Sequence, residues 1–237
     1  VAPTARIALA HAEIANGERQ DARRSLANFE HYLALDPPAG AAVDLVVWPE
    51  NAVPLLLEEN PSLVARIAAQ GGGAPHLVGA PRVVAIAGHP TLRASAFLIG
   101  PRGIQGVYDK HRLLPLAETM PSLGGGGLLV ARGFSPGGGT SVLAVGDLRV
   151  GPLVCYEFIF PELPRAAVRA GATLLVNISN DSWFQPGAGP RQHLLFGRLR
   201  AVELRRTLVR AANLGPTTII LPDGTSVLET DGVTAGV

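Results

Sequence analysis

Apolar runs of strand length recur along this chain, several of them cut off by an ionisable residue, and stretches of helical period lie between them. Residues 43–48 are apolar except for Asp44 and close in Trp48-Pro49-Glu50. Leu148, Val150, Leu153 and Val154 make a second run that ends where Cys155 emerges. Residues 173–178 make a third, leading into Ser179-Asn180-Asp181-Ser182-Trp183-Phe184. Runs this continuous belong to strands buried on both faces. Residues 6–10 can start the sheet. Residues 20–35, with Leu26, Phe29, Leu33 and Leu35, read as an amphipathic outer helix. Residues 61–70 read as another, started by Asn60-Pro61 and stopped by Gly71-Gly72-Gly73, and residues 162–170 as a third.

The middle of the chain is richer in strands: 77–80, 83–87 and 94–99, then a Pro101-Arg102-Gly103 turn into Gly106-Val107-Tyr108. A long helix is predicted from about 191 to 212, with Leu195, Leu199, Val202 and Leu208 on its packed face. Its arginines would form a solvated or ion-paired face, with Arg200 close enough to pair with Glu203. Residues 217–221, the turn Pro222-Asp223-Gly224 and residues 226–228 form a closing hairpin. The pattern predicts an α/β fold, a mixed sheet carrying helices on its faces. At 237 residues, one large domain spanning 1–237 is expected.

Composition removes several function classes. Twenty Lys+Arg stand against 19 Asp+Glu, so nothing points to nucleic acid. No run approaches the ~18–20 apolar residues of a membrane helix, and no signal peptide opens the chain. The single cysteine excludes an internal disulfide. The six histidines lack ligand-like spacing, so no metal is expected. The chain runs from Val1 to Val237 without an initiator Met, and an excised piece of a longer protein is one expectation.

Lys110 is the only lysine; every other basic side chain is Arg. A compact ammonium differs from a forked guanidinium wherever a point charge is needed. Glu50, Lys110 and Cys155 all sit just past predicted strand ends, the edge where open α/β sheets bind ligands. Cys155 reads as a nucleophile or as a small buried hydrophobe. As a nucleophile, a thiol with an ordinary pKa of ~8.5 needs a base at neutral pH. Glu50 could take that proton and return it to a leaving group. Lys110, with the Tyr156 backbone N–H, could hold a tetrahedral oxyanion. Gly133-Phe134-Ser135-Pro136-Gly137 matches a serine-hydrolase elbow in letters only: Pro136 lacks the N–H an oxyanion hole needs, and the glycines after it deny it a helix. The glycines at 124–127 and 137–139 make residues 121–140 loop-like, but no Gly-Lys-Ser/Thr marks a phosphate cradle.

Trp48-Pro49-Glu50, Tyr108-Asp109-Lys110-His111-Arg112-Leu113-Leu114-Pro115 and Cys155-Tyr156-Glu157 resemble the Glu, Lys and Cys motifs of the nitrilase (carbon–nitrogen hydrolase) superfamily. Pro115-Leu116-Ala117-Glu118 and Asn177-Ile178-Ser179-Asn180-Asp181-Ser182-Trp183-Phe184 resemble its apolipoprotein N-acyltransferase branch, as do Gly189-Pro190-Arg191-Gln192-His193, Arg200-Ala201-Val202-Glu203 and Arg210-Ala211-Ala212-Asn213-Leu214-Gly215. The resemblance covers nearly the whole chain. It implies a four-layer αββα sandwich with Glu50 as base, Lys110 as oxyanion stabiliser and Cys155 as nucleophile. Glu118 and Glu157 would be supporting carboxylates, and Tyr156 and Trp183 would line the site. No cofactor or metal is implied. Residue by residue, Glu118 and Glu157 could instead be purely structural, Trp183 could be core, and His193 and Asn213 read as structural.

The branch implies a fatty acyl group taken from a phospholipid as a thioester and passed to the amine of a lipoprotein's diacylglyceryl-cysteine. It also implies the bacterial inner membrane, with this domain facing the periplasm and acting as a monomer. Two departures stand out: this chain lacks the membrane helices of family members, and Leu116-Ala117 replaces a frequent Phe-Gly. Alternatives are a free-standing cytoplasmic hydrolase of small amides, oligomeric like soluble superfamily members, and a non-catalytic binding module of the same fold. Lipid entry through a mobile segment at 119–140 is a further expectation.

Overall fold

The computed structural model describes residues 5–14, 24–38, 40–115, 118, 133–184 and 188–230. Two sheets stack with helices outside both, the four-layer αββα sandwich the resemblance implies. The first sheet has the order β1 (Ile7–Leu9), β2 (Leu45–Val47), β3 (His76–Ile86), β4 (His89–Gly100), β5 (Gly103–Asp109). The second runs β11 (Ser226–Glu229), β10 (Thr218–Ile220), β9 (Thr207–Asn213), β8 (Leu174–Asn180), β7 (Leu148–Val154), β6 (Leu143–Val145). The first three strands are parallel, as are β7, β8 and β9; β4 is antiparallel to both its neighbours.

Alternation along the strands builds the layers. Leu45, Val47, Leu77, Ala96 and Leu98 of the first sheet face Val150, Val154, Val176, Ile178 and Val209 of the second across the central layer. Val46, Val78, Phe97 and Ile99 point the other way, onto α1 (Ser25–Ala34) and α2 (Pro61–Ala68) through Phe29, Tyr32, Val64 and Ile67. Leu175 and Leu208 likewise meet α3 (Glu162–Arg169) and α4 (Gly189–Leu204). Being buried on both sides explains why these strands lack a polar alternation.

Residues 77–80 and 83–87 belong to one strand, β3, which crosses Pro81 without a break. Its pairing with β2 covers only His76 and Leu77, and Ala94, opposite Pro81 on β4, turns its carbonyl to Lys110 on the other side, so the Pro81 nitrogen faces an unpaired edge and its missing N–H costs no ladder bond.

The long helix expected over 191–212 is corrected. It ends at Leu204, where Arg205 takes a left-handed conformation (φ 50°), and residues 207–213 form β9. Its packed face is also different: His193, Leu194, Gly197, Arg200 and Ala201 are buried, whereas Leu195, Leu199 and Val202 are 57%, 51% and 45% exposed. The expected Arg200–Glu203 pair forms, with Arg200 buried, whereas Arg210 lies in the sheet and not on the helix. Leu116, Ala117 and residues 119–132, including the Gly124–Gly127 loop, lie outside the described residues, as do residues 20–23 of the expected first helix. Among the described residues, no helix is long and apolar enough to cross a membrane.

Candidate active site

The carboxyl ends of β2, β5, β7 and β8 converge on one edge of the sandwich, and each delivers a polar group there. Glu50 follows β2 through Trp48-Pro49. Trp48 is anchored first: its indole N–H donates to Asp36 at 2.8 Å, Asp36 also holds His76 at 2.8 Å, and Tyr32 stacks on the indole. A Cβ on Gly79 would lie 2.4 Å from the Pro49 carbonyl oxygen and 2.6 Å from the Glu50 Cα. Only glycine lets β3 pass so close beneath the Glu50 loop.

Lys110 follows β5 and is 1% exposed. Its Nζ donates to Glu50 Oε1 at 3.0 Å and to Glu118 Oε1 at 2.6 Å. Glu50 Oε2 accepts the Asn180 backbone N–H at 3.0 Å, and Glu118 Oε2 accepts that of Leu114 at 2.7 Å. Both carboxylates are thus oriented by backbone donors as well as by the ammonium. The Lys110 backbone is clamped too: its N–H reaches Ala94 at 2.8 Å, and its carbonyl accepts the Gly137 N–H at 2.7 Å. A Cβ on Gly137 would fall 2.3 Å from the Asp109 carbonyl oxygen. The Gly133–Gly137 stretch therefore braces Lys110, and Ser135 pairs with the Leu92 carbonyl through its backbone N–H at 2.8 Å. The serine elbow rejected from its letters is structural.

Cys155 stands at the first residue after β7 with φ +56°, in the left-handed region that a side chain enters only at a cost of ~1–3 kcal/mol. One short turn of 3₁₀ helix follows, Cys155–Ile159. Glu157, buried in that turn, accepts four donors: the backbone N–H groups of Val154 (2.7 Å), His111 (2.6 Å) and Arg112 (3.0 Å), and the Tyr108 hydroxyl (2.8 Å). It ties the cysteine turn to the lysine segment without touching Lys110 in any of these bonds. Tyr156 donates its hydroxyl to the Leu113 carbonyl and sets its ring 5.6 Å from the Lys110 ammonium.

Burial and neighbouring charge set the protonation pattern. Burial pushes the Cys155 thiol up to about 12, with the Glu50 charge adding to the rise and Lys110 opposing it. Burial also raises the Glu50 carboxyl, against the pull of Lys110. Lys110 is held well above its ordinary value: burial disfavours its charge, but Glu50, Cys155 and Glu118 outweigh that. The resting arrangement is a neutral thiol beside an ammonium bracketed by carboxylates. Such a set can remove a proton from sulfur as the sulfur attacks and can neutralise an oxyanion.

Of the residues singled out in the sequence, Glu50, Lys110, Glu118, Cys155 and Tyr156 come together here, with Glu157 behind them. Trp183 lies three residues beyond Asn180 but is 54% exposed, so it is not core. Not singled out for the site were Tyr108, Asn177, Asp181 and Arg210. Arg210 is wholly buried and pairs with Asp181 at 2.5 Å. The signal was a polar side chain inside each of two apolar segments, Asn177 within Leu174–Asn180 and Arg210 within Thr207–Asn213, the latter informative once its segment is read as a strand.

Comparison with known proteins bears on the family and the fold. The carbon–nitrogen hydrolase family profile matches residues 6–237. An apolipoprotein N-acyltransferase of Geobacter metallireducens is 43% identical over 197 residues, 77% of this chain and 36% of that protein. Another, from Sinorhizobium medicae, is 36% identical over 244 residues, 96% of this chain and 46% of that protein. The chain thus spans less than half the length of these relatives. Among solved structures, a glutamate-to-glutamine variant of the amidase from Nesterenkonia sp. AN1 superposes with a TM-score of 0.68 at 21% identity, covering 98% of this chain and 88% of that one. That amidase carries an acetamide moiety added covalently at its active-site cysteine. At this identity the likeness establishes the shared fold.

Proposed function

Because the chain belongs to the carbon–nitrogen hydrolase family, we propose that it is the catalytic part of an apolipoprotein N-acyltransferase working through a thioester on Cys155. The observation that carries the reading is Lys110, the sole lysine, buried between Glu50 and Glu118 at the strand ends that also present the sole cysteine. The names of the relatives at 43% and 36% identity support the acyltransferase branch.

In the first half-reaction, Glu50 takes the Cys155 proton while sulfur attacks the ester carbonyl carbon of a phospholipid. The oxyanion that forms is met by the Lys110 ammonium and the Tyr156 backbone N–H. Collapse breaks the carbon–oxygen bond, the leaving alkoxide takes the proton from Glu50, and the acyl group stays on sulfur. In the second, the free amine of a diacylglyceryl-cysteine attacks the thioester, Glu50 accepts a proton from that nitrogen, and the carbon–sulfur bond breaks. Glu50 returns that proton to the thiolate and an amide is released. Glu118 holds Lys110 in place, Glu157 holds the cysteine turn, and the exposed Trp183 offers an apolar surface at the rim. The whole protein would work at the bacterial inner membrane with this part in the periplasm.

The test is intact-mass measurement after incubation with phospholipid in detergent, beside Cys155→Ala, followed by addition of a diacylglyceryl-cysteine lipopeptide. An acyl-sized adduct on wild type alone, discharged by the lipopeptide amine, is expected. No lipid adduct but turnover of small amides would replace the proposal with hydrolysis. A blank on both, with Cys155 inert to a thiol probe, would leave a non-catalytic module.

A further inference from the structure

One row of residues crosses three parallel strands directly behind the cysteine. Leu153 of β7 pairs with Asn177 of β8, and Asn177 with Arg210 of β9. The Asn177 amide nitrogen donates to two carbonyl oxygens, that of Leu153 at 3.1 Å and that of Cys155 at 2.8 Å. Those carbonyls flank the point where the backbone turns left-handed, so one amide group spans the strained turn. The amide orientation is unambiguous. Carbonyl oxygens only accept and a guanidinium only donates, so Nδ2 faces the turn and Oδ1 faces Arg210 Nη1, 2.6 Å away.

Arg210 is itself fully committed. Its Nη2 pairs with Asp181 at 2.5 Å, its Nε donates to the Pro216 carbonyl at 3.1 Å, and its guanidinium carbon lies 5.6 Å from the Phe158 ring centre. Asp181 is held in turn by the Ser179 hydroxyl at 2.8 Å and by His193 Nδ1 at 3.3 Å. A buried cation, once paired, has no freedom to swing, and the amide it grips inherits that rigidity.

We infer that Asn177 is a positioning residue for the Cys155 nucleophile, fixing the left-handed turn through the Cys155 carbonyl, and that Arg210, locked by Asp181, sets the Asn177 amide. This rests on the reading of Cys155 as the nucleophile. The row acts on where the sulfur sits, not on substrate, which none of its bonds requires.

Because Cys155 is the only cysteine, labelling with ¹³C-cysteine gives one carbonyl and one Cα resonance, both belonging to the turn. The variant to make is Asn177→Asp, which keeps an acceptor for Arg210 and turns the donor facing Cys155 into an acceptor. Its carbonyl resonance should move relative to wild type, and the rate constant for alkylation of Cys155 by iodoacetamide should fall at least tenfold. If Asn177→Asp does not fold, Asn177→Ser removes the amide without setting a carboxylate against two carbonyls, and the same two changes are expected. A folded variant whose Cys155 carbonyl resonance is unmoved refutes the hydrogen bond. A moved resonance with wild-type alkylation refutes the positioning role. A wild-type protein that forms no acyl adduct on Cys155 with phospholipid and turns over no small amide brings down the nucleophile reading itself, an outcome separate from the other two.

Discussion

Replacing Glu50 with Gln should stop turnover and, at the same time, make Cys155 more acidic. The Glu50 charge stands second only to burial among the causes that push the thiol up to about 12. A thiol at about 12 is roughly 1% ionised at pH 10, by the ordinary titration relation. Removing a nearby like charge lowers such a pKa by about one to three pH units, raising the thiolate to roughly 10–90% at pH 10. Gln keeps the volume and can still accept from Lys110, whose own charge persists at that pH because its pKa is held well above the ordinary value. The readout is the Cβ resonance of the single ¹³C-labelled cysteine followed to pH 10, with thioester formation from phospholipid measured in parallel. Loss of the general base should slow the latter by ~10²–10⁴. A Glu50→Gln protein whose thiolate fraction at pH 10 stays at the wild-type level would refute the electrostatic argument. One that forms thioester at the wild-type rate would refute the base assignment.

Gly137→Ala should drive a methyl group into Asp109, pull the segment off the Lys110 carbonyl and reduce thioester formation at least tenfold; a wild-type rate would show that the clamp does not hold Lys110. In Glu157→Gln, either placement of the amide nitrogen leaves a buried backbone N–H facing another donor, costing ~1–3 kcal/mol and lowering Tm by roughly 3–10 °C. Calorimetry giving a Tm within 1 °C of wild type would sink that account. Asp181 titrates about 2 when folded against an ordinary 3.8: burial opposes ionisation, but Arg210 and the His193 and Ser179 hydrogen bonds outweigh it. A depressed acid stabilises the fold above its unfolded pKa and loses that contribution as pH falls through the folded one. Urea unfolding should therefore show the wild-type advantage over Asp181→Asn shrinking by ~2 kcal/mol between pH 5 and pH 2. An advantage independent of pH over that window would contradict the ion-pair reading.

The edge of the sandwich was legible in the sequence because its signals are local. A continuous apolar run reports a strand buried on both faces, and the charged residue that ends it reports the edge. Glu50 satisfies both conditions within a few residues of chain, Cys155 ends its apolar run as the sole thiol, and Lys110 stands out as the sole lysine just past a hairpin strand. Arg210 does not satisfy both conditions. Leu204-Arg205-Arg206-Thr207 contains no glycine or proline, so the helix continues on paper through a segment whose apolar residues suit either period. The left-handed Arg205 that ends α4 is imposed by the packing of β9 against β8, and the partner that makes Arg210 tolerable in the sheet is Asp181, 29 residues away. The exposed Leu195, Leu199 and Val202 misled for a related reason: the helix approaches the sheet along Gly197 and Ala201, and small residues carry little weight in a hydrophobic period.

The charge inventory of the site explains why the resting thiol can remain neutral. In the proposed cycle Glu50 starts as the base, a carboxylate bonded to Lys110, and the site holds its negative charge there before any proton moves. Ionising Cys155 into solvent would add a second negative charge beside Glu50, in a buried place where like charges are expensive. Passing the proton from sulfur to Glu50 instead leaves the total unchanged while sulfur becomes nucleophilic. The negative charge then travels from Glu50 to the carbonyl oxygen, toward Lys110. In the proposed cycle the ammonium therefore has two successive tasks, countering Glu50 at rest and the oxyanion in flight. Glu118, bonded to the far side of the same ammonium and to Leu114, keeps it from following Glu50 or leaving with the oxyanion. A site built this way needs no preformed thiolate, which accords with a cysteine held at about 12 rather than drawn toward neutrality.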